Sequence, residues 1–184
     1  AMEDYLINQG IDGAMLRQGN GEEISGADLA RVVDHARQLR RVLEAFPTHY
    51  PRHILEQAAI AGAFSEGAVE RDLQGVADKV AERLNLEYEK GWSGRITQDH
   101  GVRLARILRG VEEVRTLDGR ILRGGEARKT GTFTQHLQDV YNMPAKLVRK
   151  DRSQMIYGPM DLLDAILGEG EKGLSLQRYK GLGE

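Results

Sequence analysis

Ser25-Gly26-Ala27-Asp28-Leu29-Ala30-Arg31-Val32-Val33-Asp34-His35-Ala36-Arg37-Gln38-Leu39-Arg40-Arg41-Val42-Leu43-Glu44-Ala45-Phe46-Pro47 is the clearest periodic stretch of the chain. Leu29, Val32, Val33, Ala36, Leu39, Leu43 and Phe46 recur at helical spacing. Ser25 stands where an N-cap belongs, Asp28 lies near the positive end of the helix dipole, and Pro47 follows the last periodic residue. On the C-terminal side Pro51 starts a second helix, with Ile54, Leu55, Ala58 and Ala59 as its apolar face and Gly62 as its stop. Ser65-Glu66 caps a third helix whose face is Val69, Leu73, Val76, Ala77, Val80 and Leu84. On the N-terminal side Tyr5-Leu6-Ile7 and Ala14-Met15-Leu16 flank a turn-rich segment, which predicts two short strands. The first half is therefore helix-rich, over about residues 25–86.

Beyond Leu86 the pattern changes. Arg95-Ile96-Thr97 and the stretch from Val102 to Val114 read as strands. Arg115 to Leu117 leads into Asp118-Gly119, a hairpin turn signal, with Ile121-Leu122 as the return strand. Phe133, Leu137, Val140 and Tyr141 restore helical spacing as far as Asn142-Met143-Pro144. Lys146 to Val148 and Met155 to Tyr157 can pair across Lys150-Asp151-Arg152. Pro159 opens a further helix through Leu162, Leu163, Ile166 and Leu167, which Gly168-Glu169-Gly170 is expected to end. Leu174, Leu176 and Arg178 then alternate with polar or small neighbours, as a final half-buried strand does. Helices and strands are grouped rather than alternating. The class is α+β: a helix-rich first half, then antiparallel strands with two helices, and a last strand.

Composition narrows the function. The 184 residues are 40% hydrophobic and 29% charged, as in a soluble globular protein of one or two domains. No apolar run of membrane-spanning length and no signal peptide is visible, and the absence of cysteine fits a cytoplasmic protein. The net charge of −2 conceals an asymmetry, because His100 to Arg152 carries 12 Lys/Arg against 6 Asp/Glu. Arg103, Arg106, Arg109, Arg115, Arg120, Arg123, Arg128 and Lys129 form this basic middle, which reads either as a DNA or partner surface or as a solvated face with internal ion pairs. The spacing of three between Arg103, Arg106 and Arg109 would make one face of a helix, but splits them if the segment is extended.

Catalytic constellations are harder to find. His49 and His53 have i, i+4 spacing, yet Pro51 puts His49 outside the helix and no third ligand is evident. His35, His100 and His136 read as isolated. Glu112-Glu113 alternate across a strand, and Asp161 and Asp164 occupy the first turn of a helix. Gly168-x-Gly170-x-x-Gly173 follows a helix and precedes a strand, the reverse of the dinucleotide fingerprint. No catalytic residue, metal ligand or cofactor is expected in this chain.

The last residues, Leu174-Ser175-Leu176-Gln177-Arg178-Tyr179-Lys180-Gly181-Leu182-Gly183-Glu184, carry the most specific signal. Read physically, a strand enters a basic Gly-x-Gly turn that either cradles a phosphate or is simply a tight turn with solvated charges. The string Gln177-Arg178-Tyr179-Lys180-Gly181-Leu182-Gly183-Glu184 resembles a signature of the B-subunit family of bacterial DNA gyrases, near the end of its TOPRIM domain. Asp4 to Leu16, the three helices and Gly124-Gly125-Glu126 resemble the long insertion that many Gram-negative members carry before that motif. The resemblance implies a fragment, with residues 1–172 as a TOPRIM insertion domain (strand-rich over about 87–172) and 173–184 as the resumed TOPRIM domain. It implies a parent that is an ATP-dependent type II topoisomerase, negatively supercoiling DNA with magnesium and partnered by the gyrase A subunit. The Glu-Gly-Asp and Asp-x-Asp magnesium motifs of that family are missing from this sequence. Gln177, Arg178, Tyr179, Lys180, Gly181, Gly183 and Glu184 carry over as cleavage-core residues, and the insertion as a brace contacting DNA, the gyrase A subunit or its own TOPRIM domain. The competing expectation is an independent nucleic-acid or protein binding module.

Overall fold

The computed structural model describes residues 1–87 and 90–179, the last three as backbone only. The described elements run α1 (Met2–Ile11), β1 (Ala14–Arg17), β2 (Glu23–Ser25), α2 (Gly26–Glu44), α3 (Arg52–Ala61), α4 (Ala68–Arg71), α5 (Leu73–Glu87), β3 (Ser93–Ile96), β4 (Val102–Leu108), β5 (Val111–Leu117), α6 (Gly125–Gly131), α7 (Thr134–Tyr141), β6 (Ala145–Arg149), β7 (Arg152–Ile156) and α8 (Pro159–Tyr179). The strands form two antiparallel sheets, one ordered β2-β1-β6-β7 and the other β3-β4-β5. The class is α+β, as the grouping of the elements predicts.

α2 buries the face read from its spacing: Leu29, Val32, Val33, Ala36, Leu39 and Leu43 are all enclosed, with Phe46 just beyond its end. Each such leucine removed from water contributes about 2 kcal/mol. The helix C-terminus is closed from outside, because the Arg52 guanidinium donates to the carbonyls of Leu43, Phe46 (3.1 Å) and Pro47 (2.9 Å). Gly62 ends α3 in the left-handed conformation, φ +90°, where glycine is favoured. Ser25 is the N-cap of α2 by position and extended backbone, without a side-chain hydrogen bond.

Several expectations fail for physical reasons. Tyr5-Leu6-Ile7 is not a strand but part of α1, which buries Leu6, Ile7, Gly10 and Ile11 on one face. The third helix is broken at Asp72, whose carboxylate accepts the Gly75 N–H (3.0 Å) and so caps α5 separately from α4. The hairpin turn after β4 is not Asp118-Gly119 but Arg109-Gly110, with φ +52° and +79° between the paired residues Leu108 and Val111. Asp118 instead accepts a hydrogen bond from Tyr50, and a β-carbon at Gly119 would lie 1.9 Å from the Asp99 carbonyl oxygen. Ile121-Leu122 is accordingly a turn, with Leu122 buried, and α6 becomes a third helix in the second half.

The last two failures concern α8, which runs through Gly168-Glu169-Gly170 without ending and continues through Leu174 to Tyr179, where a strand was expected. A β-carbon at Gly170 would lie 2.2 Å from the Leu6 carbonyl oxygen, and one at Gly10 would lie 2.0 Å from that of Ile166. These glycines let the backbones of α1 and α8 touch, so they are contact points rather than helix stops. The pairs 10/166 and 6/170 make the two helices antiparallel, and they bring the start of α1 alongside the last turns of α8.

Candidate functional site

The basic middle is divided among β4, the turn after it, β5, the turns before α6, and α6 itself. β4 is extended, so Arg103 and Arg106 point to opposite faces of the sheet, and Arg109 stands in the turn. Arg103 pairs with Glu112 at 2.9 Å. Arg106 pairs with Glu113 at 3.0 Å and lies 5.0 Å from the Trp92 ring centroid, a cation–π contact. Glu112 and Glu113 therefore serve opposite faces, as their alternation requires. Arg115 donates to the Val114 carbonyl, and Arg123 to the carbonyls of His100 (2.8 Å) and Gly119 (2.9 Å). Arg128 donates to the Arg123 carbonyl at 3.3 Å, while Arg120 and Lys129 are exposed. Much of this positive charge thus holds the fold together, and no single continuous face gathers all eight residues. Arg109 makes no side-chain hydrogen bond or ion pair among the described residues; neither does Arg95, which lies directly opposite Arg103 in the β3–β4 register.

A buried polar junction, which no short motif in the sequence connects, surrounds Arg83. Its guanidinium donates to Gln57 Oε1 (3.0 Å) and to the carbonyls of Tyr141 (3.0 Å), Asn142 (2.9 Å) and Tyr157 (2.9 Å). One side chain on α5 thereby ties together α3, the end of α7 and the entry to α8. Beside it Glu56, buried on α3, accepts the Met160 N–H at 2.7 Å and so caps α8 from another helix. Asp161 accepts the Tyr157 N–H at 2.9 Å, closing the same terminus from within. Burial pushes the Glu56 carboxyl up to about 8, only partly offset by the Met160 hydrogen bond. Only pattern-breaking polar residues on otherwise apolar helix faces, such as Glu56-Gln57, could have pointed to it.

An open cleft of about 490 Å³ between α2 and α7 is lined by Asp28, Arg31, His35, His136 and Asp139 among others. His35 and His136, read as isolated, meet here with their Nδ1 atoms 3.1 Å apart. Burial, reinforced by the neighbouring His35, pulls the His136 imidazole down to about 4. No sequence signal could have joined two residues 101 positions apart. His49 lies outside α3, and no group of three His, Asp or Glu suited to a metal occurs among the described residues.

The terminal motif is only partly visible. Gln177, Arg178 and Tyr179 lie in α8 as backbone, while Lys180, Gly181, Gly183 and Glu184 lie outside the described residues. Just before it Glu169 gathers Arg152 (3.1 Å), Lys172 (3.4 Å) and Arg149 (3.5 Å). Burial raises this carboxyl, but the surrounding Lys172 and Arg152 charges outweigh it and hold it below its ordinary value. On α1, Glu3 and Asp4 pair with Arg37 and Arg40 of α2 at 2.7–3.1 Å. The antiparallel α1–α8 pair is thus fastened to the rest of the fold from both sides.

No family model matches the chain. The whole chain aligns with the B subunit of DNA gyrase from Caulobacter vibrioides at 36% identity over 186 residues. It also aligns over its whole length with the DNA gyrase B subunits of Rickettsia bellii (28% over 188 residues) and Rickettsia prowazekii (26% over 187 residues). It spans about a fifth of the length of these curated relatives, 22% of the first and 23% of the other two. The alignment covers α1, both sheets and α8 alike, so the likeness does not rest on the terminal motif alone. The chain belongs to the B-subunit family of DNA gyrases, corresponding to about a fifth of such a protein.

Proposed function

We propose that this chain is a non-catalytic insertion domain of a gyrase B subunit, the parent being a cytoplasmic, ATP-dependent type II topoisomerase that negatively supercoils DNA with magnesium and the gyrase A subunit. The antiparallel α1–α8 pair carries this reading. An insertion must leave and re-enter its host at neighbouring points, and the start of α1 runs beside the last turns of α8. In this reading residues 1–172 form the insertion and 173–184 begin the resumed TOPRIM domain, with α8 bridging the two as a continuous helix. Among the described residues no helix is long and apolar enough to cross a membrane. The insertion braces the TOPRIM domain and presents a surface to DNA or the gyrase A subunit, and Gln177 to Glu184 contribute to the cleavage core.

The test is excision. Replacing residues 1–172 with a short flexible linker in the full-length B subunit should leave a folded protein, because the two ends already lie together. Supercoiling by the reconstituted enzyme should fall. Undiminished supercoiling would overturn the bracing role, and an excised protein that cannot fold would overturn the insertion reading. Magnesium-dependent nicking by the 184-residue chain itself would overturn its non-catalytic character.

A further inference from the structure

We propose that the tip of the β4–β5 hairpin enters the minor groove of duplex DNA, with Arg109 at its apex and Ile107 and Val111 as apolar wedges. The proposal rests on the gyrase B reading and narrows its open choice of partner to one surface and one ligand. Ile107 is 73% exposed and Val111 is 65% exposed, the two most exposed large aliphatic residues described in the protein. They do not share a face: Ile107 lies opposite Glu112, whereas Val111 lies opposite Leu108. The tip is therefore apolar on both sides, the form of a wedge rather than of a patch laid on a flat partner.

Charge selects the occupant. Glu112 and Glu113, the acids nearest the tip, are held by Arg103 and Arg106. Arg109 has no such partner among the described residues, so the apex is a bare cation. Behind it, Arg95 and Arg103 stand directly opposite each other across β3 and β4. Like charges in that position destabilise a sheet unless a counter-charge is supplied, and Glu112 answers only one of the two. Arg95 and Arg103 lie roughly 20 Å behind the apex along the strand, far enough to meet phosphates of the same duplex beyond the groove wall. The tip carries no Asn or Gln to read base edges, so contact would follow groove shape and phosphate charge rather than sequence. The Arg109-Gly110 turn keeps the ribbon to two residues at its end, narrow enough to approach a groove.

The experiment is fluorescence anisotropy of the 184-residue chain with a labelled mixed-sequence duplex of about 40 base pairs, between about 50 and 200 mM salt. Replacing Arg95 and Arg109 together by Glu should weaken binding roughly tenfold or more and reduce the salt slope by about 2. Replacing Ile107 and Val111 by Ser should weaken binding less and leave the slope unchanged. Arg109→Lys should keep most of the affinity, and Arg41→Glu, an exposed change on α2, should leave it intact. A minor-groove polyamide should displace the chain. Absence of duplex binding by the unaltered chain, equal binding by the Arg95/Arg109 variant, or indifference to the polyamide would overturn the proposal. Tip variants that bind duplex normally, combined with lost supercoiling on excision of residues 1–172, would sink the hairpin assignment and leave the insertion reading standing. Intact supercoiling after excision would count against the wider reading instead.

Discussion

The α1–α8 pair and the β4–β5 hairpin are both two-element antiparallel units, and they use glycine for opposite ends. At Gly10 and Gly170 the missing side chain allows one helix backbone to touch another, and a β-carbon would strike a carbonyl oxygen that cannot move aside. At Gly110 nothing lies within 4 Å of such a carbon, and the need is for a positive φ. The first pair closes upon itself and is fastened by the Glu169 ion pairs, while the hairpin sends Ile107 and Val111 into solvent. The lesson is that a glycine inside a helical pattern can mark an approach as well as an end.

The comparison breaks most sharply at Gly170. Gly170→Val should cost about 3 kcal/mol or more in urea unfolding, the upper range for overpacking, because the obstacle is main chain rather than a flexible side chain. A loss below about 1 kcal/mol would mean that α1 and α8 can separate without penalty.

Glu56, which caps the start of α8, offers a pH-dependent test of the same unit. Its folded-state carboxyl is raised to about 8, so the folded protein binds a proton there that the unfolded chain has released. Stability from this group is therefore greatest below the unfolded value of about 4.5 and declines as pH rises towards 8. Glu56→Gln keeps an acceptor for the Met160 N–H without the charge. The melting-temperature difference between variant and wild type should be small at low pH, grow in favour of glutamine up to about pH 8, and then level off. A constant difference across that range would show that Glu56 does not titrate there. His136 works in the other sense, since its depressed value makes stability fall as pH drops from 6.5 towards 4, and His136→Gln should remove that acid-side loss.

The hairpin should respond least. Gly110→Ala should cost about 1 kcal/mol through left-handed strain alone, since space is open around it. Ile107→Thr should change stability by less than about 0.5 kcal/mol, because little of that side chain is withdrawn from water. A larger loss at Ile107 would show that the tip supports the fold, and would weaken its assignment as a docking element.

What could be read beforehand followed local period. The apolar spacing of α2 and α3, the Pro159 start of α8, the α7 face and the β6–β7 pairing all hold in the structure. Failures occur where a residue answers to a distant neighbour: Gly10 to Ile166, Gly119 to Asp99, Asp118 to Tyr50. The candidate surface was legible only as a charge count. Which arginines hold carbonyls or carboxylates, and which stand bare, depends on strand register and on where the turns fall. The junction around Arg83 was illegible, because four segments meet there that no short motif connects.

The sequence by itself determined the class of fold, the buried face of α2 and the gyrase B kinship, because each is written in local spacing or in the residue string. Tertiary structure decided that α8 does not stop at Gly168-Glu169-Gly170, that His35 meets His136, and that Arg109, at the end of a ribbon, has no ion-pair partner among the described residues. The reason is that backbone proximity and ion pairing between residues far apart in the chain arise only when it has folded. Periodicity records which side of an element is apolar, and it does not record what that side will meet.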